Sequence, residues 1–197
     1  MLKRFALLSL VSVLAVGCGD DTTKPPSTPD SGTDYVPTGR GPGASLRCKS
    51  SNKNAWDTFG VNAFVAVNEA IFTKVGAELT ANGSKNLGDS FSKIGTGETP
   101  AYNDDAATFK GKLAAFLVYA YGGPESITYT DNKQYTGPQD MVKAHQGMNI
   151  TSAQYDYFIA NIVVPALTDN GVTGDDVSSC FAPIVTDATF KASIVGK

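Results

Sequence analysis

The chain has 197 residues, 42% of them hydrophobic and 18% charged, with 16 Lys and Arg against 19 Asp and Glu and a formal net charge of -3. A mildly acidic chain gives no reason to expect nucleic acid as a partner. Its three cysteines and single histidine are too few for four-cysteine, two-cysteine-two-histidine or multi-histidine metal sites, so any metal chemistry runs through very few side chains.

Lys3 and Arg4 precede an apolar run from Phe5 to Val16. As a helix this run extends only about 18 Å, against a hydrocarbon core of about 30 Å, so it reads as an export signal and not a membrane span. It ends Leu14-Ala15-Val16-Gly17-Cys18, which resembles the lipobox of bacterial lipoproteins, although leucine is more usual where Ala15 stands. The resemblance implies a signal peptide over 1–17 and acyl chains on Cys18 that anchor the exported protein to a membrane of the cell envelope. Two chains hold firmly where one binds marginally. The alternative is an ordinary secretory signal with a chance cysteine.

Residues 18–47 hold half of the chain's ten prolines and almost no aliphatic side chains, so they read as a disordered tether. The remaining segment, 48–197, is long enough for one domain with one core. With Cys18 modified, Cys48 and Cys180 are the thiols left, and an exported chain meets an oxidising compartment. A disulfide joining the two ends of the domain is expected; the alternative for Cys180 is a small buried hydrophobe on the last helix.

Within the domain the apolar residues follow helical spacing. Phe64, Val67, Ile71 and Val75 form a stripe in segment 59–75, and Phe109, Leu113, Phe116, Leu117 and Ala120 form one in 105–121. Tyr155, Phe158, Ile159, Ile162, Val163 and Ala166 follow in 152–169, opened by Thr151 and Gln154 in capping-box spacing and closed by Asn170-Gly171. A last helix from about Thr173 carries Val177, Phe181 and Ile184. The fold class is all-α. Pro165 inside the third helix predicts a kink, and Pro183 a division of the last. Asp104-Asp105 and Asp175-Asp176 sit at helix starts, where acidic residues favour the helix dipole, and need no catalytic reading.

Between the second and third helices lies a Gly- and Tyr-rich stretch, then a short helical turn carrying Met141, Ala144, His145 and Met148 on one apolar face. Gly137-Pro138 suits its start and Gly147 its end. A single histidine on such a face is ordinarily a packed core residue bonded through one ring nitrogen. The other reading is a ligand: Phe72, Phe109 and Leu113 on two helices would oppose His145 across a gap suited to a flat, apolar cofactor held by one imidazole.

The run Tyr135-Thr136-Gly137, Met141 and Ala144-His145-Gln146-Gly147-Met148-Asn149-Ile150-Thr151 resembles the proximal segment of the truncated, two-over-two haemoglobins, and is most similar to their first group. Trp56-Asp57-Thr58-Phe59-Gly60, Phe116-Leu117, Gly122-Gly123-Pro124, Gly171-Val172 and Ala182-Pro183 extend the likeness over roughly 55–190. The resemblance implies a globin domain binding haem b, with His145 as axial iron ligand and Met141 beside it. Phe91 falls where the family wedges a phenylalanine against the porphyrin. The ring nitrogen of His145 not on iron should donate to a carbonyl one turn earlier, near Met141.

The family places a ligand-binding tyrosine where Phe72 stands and often a glutamine where Leu113 stands; Phe109 fills the remaining distal position. None of these three can donate a hydrogen bond, so the resemblance implies weak retention of O2 and a smaller penalty for CO or NO. Tyr102, Tyr119 and Tyr121 are the nearby hydroxyls. Thr128–Gln134 is inserted relative to the family and reads as solvated loop. The leading function is reversible binding of a diatomic gas. A haem enzyme, a nitric oxide dioxygenase or peroxidase-like, is one alternative, with an unidentified redox partner. A haem-based sensor is the other. Peroxidase chemistry wants a distal acid–base residue that this wall lacks.

Overall fold

The computed structural model describes residues 40–197. The expected signal peptide over 1–17 and the expected acylation site Cys18 lie outside the described residues. The described part is mostly helical. Its principal elements are α1 (Ala55–Asn82), α2 (Ala106–Ala120), strands β1 (Ser126–Thr128) and β2 (Gln134–Thr136), and α3 (Met141–His145). They continue with α4 (Ser152–Phe158), α5 (Val164–Asp169), α6 (Gly174–Asp176), α7 (Ala182–Val185) and α8 (Ala188–Ala192).

The first helix is longer than its apolar stripe. Asn54 caps it by accepting from the Asp57 amide at 2.7 Å, and Gly60, at φ 72° and ψ 173°, breaks it into a short turn and a long arm. Phe64, Val67, Ile71 and Val75 are buried on that arm as the spacing requires. In α2, Asp105 caps by accepting from Thr108 N, and Ala114, Ala115 and Val118 are fully buried. Their small volumes let α1 and α2 pack closely. Gly122 and Gly123 end the helix: Gly122 takes φ +97°, and a Cβ on Gly123 would stand 2.5 Å from Val118 and 2.8 Å from the Trp56 ring. Gly123 is thereby explained by the tryptophan packed over it, and Gly122 by its positive φ beside Ala44 and Asn54.

Neither proline breaks its helix. Between α4 and α5 the chain makes a π-helical turn, Ile159–Val163, and Pro165 follows as the second residue of α5. The last helix repeats the arrangement, with a π turn at Val177–Phe181 and Pro183 second in α7. Proline has no amide hydrogen and its ring collides with the carbonyl four residues back; widening the preceding turn relieves both faults while the backbone stays helical. A π turn thus precedes each proline, at the places where the kink and the division were expected. The Thr151 and Gln154 capping box forms, with Gln154 N to Thr151 Oγ1 at 3.2 Å and Thr151 N to Gln154 Oε1 at 2.8 Å.

Three boundaries differ from expectation. The stretch read as solvated loop, Thr128–Gln134, is exposed apart from Tyr129, but it forms the end of an antiparallel hairpin that pairs Ile127 with Tyr135, and Ile127, Tyr129 and Tyr135 are buried. It lies on α2, where Gly111 admits the Tyr135 ring: a Cβ there would be 2.4 Å from Tyr135 Cδ2. The short helix before His145 begins at Met141 rather than at Pro138, because Asp140 caps it by accepting from Lys143 N at 3.0 Å. The end of the stretch read as tether belongs to the domain. Residues Pro42–Ser45 form a 3-10 turn whose Gly43 and Ala44 are buried, and Gly41 approaches Tyr119 so closely that a Cβ would meet its carbonyl oxygen at 1.9 Å. Proline and glycine content marks flexible chain, yet glycine also permits this close packing.

Cys48 and Cys180 are joined as a disulfide, both sulfurs buried, across a sequence separation of 132. It ties the chain entering α1 to the second π turn.

Candidate functional site

The lone histidine ends a five-residue helix that is held from both sides. Met141 is buried in a small cluster with Tyr155 and Ile194. The loop after His145 is bonded to the C-terminal residues, Asn149 N donating to Lys197 O at 2.7 Å and Gly196 N to Ile150 O at 2.9 Å. The His145 ring is fixed by its own helix, Nδ1 lying 2.8 Å from the Met141 carbonyl oxygen. A carbonyl can only accept, so Nδ1 carries the hydrogen and Nε2 keeps its lone pair. Burial lowers the basicity of the imidazole, against the opposing pull of the Met141 carbonyl, and favours the neutral ring that a metal ion requires.

His145 lines a cavity of about 570 Å³, within the ~300–1,000 Å³ range usual for small-molecule and cofactor sites. Val67 and Ile71 of α1, Phe109 and Leu113 of α2, and Phe91 of the intervening loop form one side. At its polar margin stand Lys112 and Lys143 with Asp104 and Asp140. Lys112 Nζ contacts both oxygens of Asp104, at 2.8 and 2.7 Å. Asp140 is committed to capping α3, and Lys143 Nζ has no ion-pair partner among the described residues.

Of the side chains expected to meet a cofactor, His145, Phe91, Phe109, Leu113 and Met141 all line this one cavity. Phe72 does not. It stands one residue beyond Ile71, about 100° further round the helix, so Ile71 takes the inward position. The Phe72 ring packs edge-on against Phe109 at 5.9 Å, with Lys110 Nζ 5.0 Å above it. The stripe of Phe64, Val67, Ile71 and Val75 contained that signal already, since it excludes residue 72 from the same face.

Of the three tyrosines considered as donors, Tyr121 alone lines the cavity, and its hydroxyl donates to the Phe181 carbonyl at 3.2 Å. Tyr102 donates to Ser90 Oγ at 3.3 Å. The cavity also extends past the expected contacts to Phe59, Phe64 and Phe181, which the sequence presents only as core residues. Lys112 and Asp104 were not legible as a pair, because nothing in their spacing distinguishes a cavity margin from a solvated helix face.

Among the described residues one group of potential metal donors clusters, Cys48, Asp176 and Cys180, and there the two sulfurs are bonded to each other. The Asp176 carboxylate instead accepts from Ser50 N at 2.9 Å. His145 is therefore the side chain in the cavity best suited to hold a metal or metallocofactor. In comparisons with protein-family models and with curated proteins, the chain matches none.

Proposed function

We propose that the folded domain is a truncated, two-over-two globin of the first-group type that holds haem b through His145 and binds O2 or another diatomic gas reversibly, and that an export signal and an acylated Cys18 carry it on a bacterial membrane. One observation carries the reading: a neutral imidazole, oriented by the Met141 carbonyl, lines a large aromatic- and aliphatic-walled cavity together with Phe91, Phe109 and Leu113. The donor set fits the group, because haem needs one protein ligand, apolar walls and cationic company for its carboxylates. When bound, haem supplies an iron centre with a coordination position open to a small gas.

The protein's own residues do the rest. His145 offers Nε2, and the Nδ1 to Met141 bond holds its ring in one tautomer. Phe91, Phe109 and Leu113 exclude water. Lys112 and Lys143 set positive charge at the margin, partly balanced by Asp104 and Asp140. Val67, Ile71, Phe109 and Leu113 present no hydrogen-bond donor, so O2, which takes on partial negative charge when held by haem iron, would gain nothing from this wall and would leave readily, while CO and NO, less polar when held, would lose less. The same wall offers no acid–base group for peroxidase-like turnover and no donor to retain O2 for nitric oxide dioxygenation, which favours binding over catalysis.

Titration of the purified domain with hemin tests the reading. The expected result is a Soret band with one-to-one stoichiometry, lost in His145→Ala while the far-ultraviolet circular dichroism is kept. A wild-type domain that remains colourless, or a His145→Ala variant with an unaltered spectrum, would falsify it. Radiolabelled fatty-acid incorporation that disappears in Cys18→Ser tests the anchor.

A further inference from the structure

The hairpin between α2 and α3 reaches across α2 to a polar joint buried against α1. Asn68 is wholly buried in the middle of the apolar stripe, one residue from Val67 and three from Ile71, both of which line the cavity. Its Nδ2 donates to the Lys110 carbonyl of α2 at 3.1 Å and to the Tyr129 hydroxyl at 2.9 Å, and its Oδ1 has no partner. The Tyr129 hydroxyl, in turn, donates to Glu69 Oε1. Glu69 Oε2 receives Lys110 Nζ at 3.0 Å, and that ammonium lies over the Phe72 ring, which packs edge-on against Phe109.

A leucine at 68 would serve simple packing better than a buried amide with an unpaired oxygen, so the position calls for a role in register. The hydroxyl meets α1 twice, at Asn68 and Glu69, and the hairpin that carries it is pressed onto α2 through Tyr135 over Gly111. Burial and the Glu69 carboxylate push the Tyr129 phenol up, so it remains a donor throughout the physiological range.

We propose that Tyr129 is a positioning residue for the cavity: its hydroxyl, set between Asn68 and Glu69, locks the hairpin, α1 and α2 into one unit and holds Phe72 against Phe109, which lines the cavity, across the α1–α2 seam. The locking of the helices stands on geometry alone; its effect on gas binding, through the placement of Phe109 in the cavity wall, rests on the haem reading above.

Tyr129→Phe keeps the buried ring and deletes the hydroxyl. In the hemin-free domain, amide hydrogen exchange in segments 64–75 and 106–113 should accelerate roughly tenfold. Tyr135→Phe, whose hydroxyl bonds Asp131 within the hairpin, should accelerate only residues 126–136. Glu69→Gln, a surface change, should act in the direction of Tyr129→Phe and by less. In the hemin-loaded ferrous domain, the CO association rate should rise at least threefold in Tyr129→Phe and stay within error of wild type in Tyr135→Phe. Exchange confined to the hairpin in Tyr129→Phe overturns the joint. Faster helix exchange with an unchanged CO rate overturns its role at the seam. A wild-type domain that takes up no hemin overturns the haem reading and with it the seam, while the exchange pattern decides the joint independently.

Discussion

Removing the disulfide should weaken the domain more than any other pair of substitutions considered. The bond closes a loop with a sequence separation of 132. The chain-entropy relation assigns about 5 kcal/mol to a closure of that length, against a measured span of about 2–5 kcal/mol for native disulfides. Replacing both cysteines avoids a lone thiol, and alanine fits because both side chains are already fully packed among apolar neighbours. For a domain of this size each kcal/mol moves the melting temperature by about 2–4 °C, so Cys48→Ala with Cys180→Ala should melt about 10–20 °C lower. Cys180 belongs to the π turn that presents Phe181 to the cavity, and the loss should therefore extend to slower hemin uptake or faster hemin loss. The assay is paired urea and thermal unfolding of the oxidised domain and the double variant, with dithiothreitol added to the wild type under denaturing conditions as a second route to the open form. A stability difference below 1 kcal/mol would refute the reasoning, because it would mean that the two chain ends are held without the bond.

Gly111→Ala should cost about 1–3 kcal/mol of overpacking, since its Cβ would stand 2.4 Å from the Tyr135 ring, and should change tyrosine fluorescence as the hairpin lifts; unaltered urea unfolding would count against the packing described. Leu113→Gln places a donor in the apolar wall and should slow O2 release roughly tenfold, with a smaller effect on CO, measured by stopped flow on the hemin-loaded domain; equal changes for the two gases would argue against a polarity effect. Glu69 is held below the ordinary glutamate range: partial burial works against ionisation, but the hydrogen bonds from Tyr129 and Lys110 and the Lys110 charge outweigh it. A carboxyl with a depressed folded value contributes stability above its unfolded value of about 4.3 and loses it as pH falls through the folded value. Stability measured in acid should accordingly fall less steeply in Glu69→Gln than in wild type.

Much of the helical frame is a local property and was readable residue by residue. Asp105, Thr151 and Thr173 stand where helices were expected to start and each accepts a backbone amide in the structure, because capping needs only neighbours a few residues away, whereas Asn54 caps α1 ahead of the segment 59–75 that its apolar stripe marks. The stripe of α1 and the apolar face of Met141, Ala144, His145 and Met148 are equally local, as is the bond from His145 to Met141. The two prolines were read by their ordinary effect, and the wider turns that absorb them depend on how the two long helical stretches pack.

The sequence by itself determined the helices, the capped starts and the solitary imidazole, since each follows from spacing within one or two turns. Only the tertiary structure decided that the walls of α1 and α2 and the His145 ring meet in one cavity, that the hairpin around Thr128–Gln134 buries Tyr129 and Tyr135 against the helices, and that the glycine-rich entry turn packs on α2. In each instance the outcome turns on contacts between residues tens of positions apart, where a ring such as Tyr135 finds a glycine such as Gly111 and a buried amide such as Asn68 finds a hydroxyl. Those meetings are set by close packing in three dimensions, to which a periodicity in one dimension is blind.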